Sequence, residues 1–155
     1  MSEVAKKEIV NVLFAGIEGG KIAFPDALIA EIVDFVAVHS DSDDVPTWYL
    51  GELVWRGITV PLVALEGMNT DAFFRQSKQL KIIVMHGVYN REVLPYWAFV
   101  TSETPKMQRI PAEAMDTAEA AVGSIEKMRI ELYGDSVMLP DIINIEEKLK
   151  KIVNK

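Results

Sequence analysis

The chain contains no cysteine among its 155 residues. That absence excludes disulfides, thiolate nucleophiles and cysteine-bound zinc together. Histidine is nearly as scarce: His39 and His86 are the only two, and neither H-x-x-x-H nor H-x-E spacing occurs. One falls in a polar loop and the other at a strand end, so no metal site and no cofactor are expected. No stretch approaches the ~18 uninterrupted apolar residues of a membrane span. The opening MSEVAKKEIVNV carries charges where a signal peptide requires an apolar core. A cytoplasmic protein without membrane insertion is the expectation. Positive charge is also in deficit, with 16 Lys and Arg against 23 Asp and Glu, a net charge of −7. An acidic surface repels nucleic acid and anionic lipid, so neither is an expected partner. The single basic cluster is KLKK at 148–151.

What remains is ordinary globular composition, half apolar and a quarter charged. A chain of this length supports one domain with a sizeable core, and residues 1–155 read as a single unit.

The motifs that would carry chemistry fail on inspection. GIEGGK lacks the first glycine of a phosphate loop, since position 15 is alanine, and Ile22 replaces the magnesium-binding Ser or Thr. DSDD from Asp41, with Glu52 at the twelfth place, resembles a calcium loop. Val45 and Pro46 then occupy the places of a ligand and the turning glycine. No serine stands in a G-x-S-x-G elbow. An enzyme is not expected.

Short apolar runs separated by turn residues dominate the chain. IVNVLFAG and KIAF flank Gly19-Gly20 as a hairpin, and a helical turn at Pro25-Asp26 leads to a β-branched strand from Ile29 to Val38. Two arms of LGELVWRGITVPLVAL meet at Arg56-Gly57, with Pro61 implying an edge or bulged strand. KIIVMHGV and VLPYWAFV form a further hairpin, and IEKMRIELYGDSVMLPDII another about Gly134-Asp135. Residues 103–123 read as ambiguous, without a clear strand. Ile145, Leu149, Ile152 and Val153 lie on one helical face, and Asn144 with Glu147 suits a capping box, so a helix is expected over about 144–154. The sum is a mainly β fold, barrel or sandwich, with a C-terminal helix.

The run from Gly51 to Leu65 resembles the signature of the CheW-like domain. Gly51, Arg56, Gly57, Val60, Pro61 and Leu65 fall at the family's spacing without a gap. Ile29-Ala30-Glu31-Ile32 is similar to the family's V-x-E-[VI], preceded by a similar opening hairpin. The resemblance covers about residues 8–68 well and 80–150 more loosely. Val54, Trp55 and Ala64 depart from the family's usual Asn, Leu and Asp. The second half, with REVLPYWAFV, is more similar to divergent CheW-like proteins of pilus-linked (twitching) systems, the ChpC-like branch.

This resemblance implies two five-stranded β-barrel subdomains sharing an apolar core. It also implies a non-catalytic adaptor between chemoreceptors and a CheA-type histidine kinase in a chemosensory pathway. The partners implied are the kinase's regulatory domain and the cytoplasmic tip of a receptor. Ile29, Glu31, Ile32, Gly51, Trp55, Arg56 and Gly57 are the expected protein-binding residues. Ile29 is favoured as the outward apolar contact, because alternation along a strand sends Ile29 and Ile32 to opposite faces. Trp55, one residue before a turn, is expected to be partly exposed. Arg56 has three readings: a solvated turn residue, a docking contact, or an anchor bonding backbone carbonyls within the fold. The competing function is a small-ligand-binding β-barrel, which requires a closed apolar cavity.

Overall fold

The computed structural model describes residues 9–17, 20–38, 44–69, 80–89, 91–111, 119–120, 126–132 and 134–153. His39 and most of the DSDD loop lie outside these residues. Among the described residues lie eleven strands and one α-helix: β1 Ile9–Ile17, β2 Gly20–Pro25, β3 Ile29–Asp34, β4 Tyr49–Trp55, β5 Ile58–Val63, β6 Lys81–His86, β7 Tyr96–Thr101, β8 Lys106–Pro111, β9 Glu119–Ala120, β10 Glu126–Leu132, β11 Asp135–Pro140 and α1 Ile142–Val153. They form two sheets. The first runs β8-β1-β2-β11-β10 and is extended by the two-residue β9; the second runs β3-β6-β7-β5-β4. The plan is the same in both. A hairpin (β1–β2 or β6–β7) lies parallel to one strand of a second hairpin (β11–β10 or β5–β4), and a fifth strand pairs with the first hairpin's outer edge.

Both faces of the central strands are buried, which explains their nearly continuous apolar runs. Leu13, Ala15 and Ile17 of β1, Ile83 and Met85 of β6, and Trp97 and Phe99 of β7 join one core shared between the sheets. Their alternate neighbours fill separate cores: Val12, Ala23, Ile110, Ile130 and Val137 in the first sheet, and Leu53, Val60, Ile82, Val84, Ala98 and Val100 in the second. Ile110 on β8 and Ile130 on β10 come from nearly opposite sides of the first sheet yet share a cluster, so that sheet curls around its own core. Val33 on β3 and Leu53 on β4 show the same for the second.

Several elements differ from expectation. β3 ends at Asp34, short of Val38. β5 is an inner strand, not an edge. Pro61 is tolerated because β7 joins β5 only at Leu62 and Val63, so no ladder bond is asked of the missing N–H. A strand, β8, occupies Lys106–Pro111 within the stretch left ambiguous. Helix α1 starts at Ile142, two residues before the expected boundary. Its cap is Asp141, whose Oδ1 accepts the Asn144 N–H at 3.1 Å.

Candidate functional site

Strands β3 and β4 are the two outer strands of the second sheet and share no ladder. Curling brings them together, and side chains close the seam. Glu31 on β3 lies opposite Val84, a residue of the barrel interior, so its carboxylate points toward the open end of that core. There its Oε1 accepts the Trp55 indole N–H at 2.9 Å and two Arg56 donors, Nε at 3.2 Å and Nη2 at 3.0 Å. The indole bond is the chief reason the Glu31 carboxyl sits below its ordinary range; partial desolvation opposes it, and the Arg56 bonds and charge add to it.

Arg56 reaches Glu31 from a strained position. Trp55 pairs with Ile58, so Arg56 and Gly57 are the two central residues of a tight hairpin with φ of 50° and 77°. Two positive values identify a turn that suits Asn-Gly, and a non-glycine residue pays a conformational penalty there. The guanidinium also stacks over the Trp55 ring, 5.0 Å from its centroid. Arg56 is therefore an anchor, to a carboxylate on another strand and not to backbone carbonyls. Its side chain remains 66 % exposed, leaving its other N–H donors open to a partner.

Trp55 is buried, contrary to expectation, because its indole turns inward to meet Glu31 and the Tyr96 ring at 4.9 Å. His86 continues the row, 5.4 Å from Tyr96. Neither Tyr96 nor His86 was singled out as a site residue from sequence; both belong to a hairpin distant in the chain, and no local pattern marks them.

Gly51 shapes β4 instead of touching this cluster. It sits at a bulge, with φ of 141°, where the register slips between Tyr49 and Gly51. The Tyr49 phenol donates to Glu52 across it. Burial first, then the Glu52 carboxylate, holds that phenol un-ionised far above its usual range.

A second bulge alters the apolar residues of β3. Ile29 lies opposite Met85 and Glu31 opposite Val84, so Ala30 is the extra residue. Ile29 and Ile32 consequently share the face of Met85 and Ile83, beside the core between the sheets. Strict alternation would have separated them. Ile29 is half-buried against that core and Ile32 is 38 % exposed, so Ile32 is the more open of the two. Val54, at 74 %, is the most exposed large apolar residue among those described. Among the described residues no three His, Asp or Glu converge as a metal site would need.

A profile of the CheW-like domain matches residues 11–148. The chain belongs to the CheW-like domain family. The crystal structure of the scaffolding protein TtCheW from Thermoanaerobacter tengcongensis is similar in fold, with a TM-score of 0.70 at 10% identity, over 91% of this chain and 90% of that one. No curated protein matches. The resemblance carried by Ile29–Ile32 and Gly51–Leu65 thus extends over nearly the whole chain, second half included. Trp55, which departs from the family's usual leucine, contributes a hydrogen bond that leucine cannot make.

Proposed function

We propose that this CheW-like domain is a non-catalytic chemosensory adaptor that docks a CheA-type kinase regulatory domain and a receptor's cytoplasmic tip. The supporting observation is the seam itself. An arginine kept in a conformation that favours glycine, and held by Glu31 and Trp55, presents its outer edge to solvent. Strain retained at an exposed, over-determined residue points to function. Fixing the fork beforehand also reduces the ordering cost of binding a partner carboxylate or carbonyl. Ile29 and Ile32, on one face beside the shared core, supply the apolar contact for a receptor helix. Among the described residues no helix is long and apolar enough to cross a membrane, which fits a partner reached from the aqueous side. The pilus-linked branch is part of the same proposal and rests on the second-half resemblance.

A small-ligand barrel is less well supported. The depression at the mouth of the first barrel, about 260 Å³, opens to solvent and is rimmed by Lys21, Lys106, Glu103 and Asp135. A ligand barrel of the kind expected needs a closed apolar cavity.

Calorimetric titration against the regulatory domain of the same organism's CheA-type kinase tests the adaptor reading. Binding by wild type, lost in Arg56→Glu with circular dichroism unchanged, is expected. An Arg56→Glu variant that binds as well as wild type would remove the seam from the interface. Absence of binding by the wild type would remove the kinase from its partners.

A further inference from the structure

The Trp55 ring lies at the end of an outer strand, one residue before the turn, where local sequence leaves an indole free to face solvent. It is turned inward and buried instead. That orientation serves two contacts at once. The indole N–H reaches Glu31 at 2.9 Å, and the ring carries the Arg56 guanidinium at 5.0 Å. Tyr96 on β7 meets the same ring, with centroids 4.9 Å apart and planes at 60°, inside the range that aromatic pairs favour. Tyr96 shares its side of β7 with Ala98 and Val100, which lie in the core of the second barrel, so its ring stands at the end of that core. His86 is directly opposite on β6 and packs on Tyr96 at 5.4 Å. Glu31, His86, Tyr96 and Trp55 thus come from four different strands of one sheet.

The mount of Tyr96 is rigid. β7 is an inner strand, paired with β6 along its length and with β5 at Ala98 and Phe99. Beyond the His86–Tyr96 pair the Gly87 N–H donates to the Pro95 carbonyl at 2.8 Å, and a Cβ at position 87 would collide with the Leu94 carbonyl oxygen. Glu146, fully buried on α1, then accepts the Val88 and Tyr89 amides, both at 2.8 Å. A charged acceptor on two consecutive amides holds the end of the hairpin against the helix. Trp55, by contrast, sits on an outer strand beside a strained turn. Of the two rings, Tyr96 is the fixed one and Trp55 the one that is placed.

We propose that Tyr96, braced by His86, is the positioning residue of the Arg56 seam. It holds the Trp55 ring in the orientation that serves both Glu31 and Arg56, and so sets the direction in which the guanidinium faces a partner. The placement stands on the geometry; its use in docking rests on the adaptor reading.

NMR of the full chain as wild type, Tyr96→Phe, Tyr96→Leu and His86→Ala tests the placement without a partner. The Trp55 indole N–H, one of three in the chain, is identified by its loss in Trp55→Phe. In Tyr96→Leu that proton is expected to exchange with solvent about two- to tenfold faster, the factor by which an aromatic pair favours one arrangement. The Glu31 carboxyl is expected to titrate closer to its ordinary value, because the indole bond is the chief cause of its depression. Tyr96→Phe keeps the ring and matches wild type in both signals. His86→Ala leaves both rings in place and moves the signals the same way by less. Val100→Ala thins the same core four residues along β7 and controls for lost stability, leaving the Glu31 titration unchanged. Kinase affinity falls about two- to tenfold in Tyr96→Leu and holds in Tyr96→Phe. Wild-type signals in both Tyr96→Leu and His86→Ala, or an equal shift in Val100→Ala, would overturn the placement. Moved signals with undiminished kinase affinity would overturn its use in docking. A wild type that binds no kinase would fail the adaptor reading alone, since the indole and carboxyl signals need no partner.

Discussion

The indole N–H of Trp55 meets Oε1 of Glu31 at 2.9 Å, joining two strands that share no ladder. The barrel is closed there by side chains, so the closure is testable one donor at a time. Trp55→Phe retains an aromatic face toward Tyr96 and removes the donor with part of the ring. Trp55→Ala empties the site as well, at a cost of about 3–5 kcal/mol. Urea titration is expected to rank them wild type, Trp55→Phe, Trp55→Ala, with the Phe variant nearer to wild type. Equal losses for the two would mean that the ring packing kept by phenylalanine adds nothing and the indole donor alone matters at this position.

The same bond predicts a pH dependence. Glu31 titrates below its ordinary value of 4.5 in the folded chain. Between the folded and unfolded values the unfolded chain binds more protons, so stability rises with pH in that window. The contribution is complete above pH 4.5 and is lost as pH falls through the depressed folded value. Asp34, lowered by its bond to Lys81, titrates in the same direction and would confuse a wild-type curve read alone. Comparison with Glu31→Gln isolates the Glu31 part. The gap in urea midpoint between the two is expected to narrow from about pH 6 to about pH 3. A gap constant with pH would show that the charge of Glu31 contributes nothing to the seam.

Glu146 ties α1 to the loop between β6 and β7, accepting the Val88 and Tyr89 amides at 2.8 Å, and is tested through the backbone it binds. Glu146→Ala leaves the Val88 and Tyr89 amides without their acceptor, a loss of about 2 kcal/mol. Amide exchange at Val88 and Tyr89 is expected to accelerate, while exchange at the center of β1 changes only with global stability. Unchanged exchange at both loop amides would show that the loop is held by something else.

How far these sites were legible depends on the range of the interactions. The Arg56-Gly57 turn was visible because two apolar arms flank an Arg-Gly pair within sixteen consecutive residues, Leu50 to Leu65. That Arg56 grips Glu31 was not, since the pairing arises only when the sheet curls. The bulge at Ala30 was equally hidden: it shifts register without a glycine or proline to mark it, and it moves Ile32 onto the face of Ile29. β8 escaped notice because four of its six residues are exposed and Ile110 alone is buried, so KMQRIP shows no alternation. The helix start was missed because Ile142 and Ile143 follow the apolar VMLP of the preceding strand closely and read as its continuation. Glu146 sits beside an outward Glu147, and nothing local tells which of the two turns inward.

Arg56→Asn separates the two roles of the hairpin. Asparagine tolerates positive φ far better than arginine does, and Asn-Gly is the favoured pair for this turn. The backbone strain at φ 50° should therefore relax by about 1 kcal/mol. Against this stand the bonds to Glu31 and the stack on Trp55, of which the first are solvent-screened. The expected result is a melting temperature within a few degrees of wild type, since about 1 kcal/mol moves a domain of this size by roughly 2–4 °C. On the proposed adaptor role, kinase binding is expected to fall by more than about tenfold, because asparagine neither reaches outward nor carries the charge. Arg56→Lys retains the charge without the planar fork and should recover little of that loss. A variant that keeps both its stability and its affinity would reduce Arg56 to a turn residue.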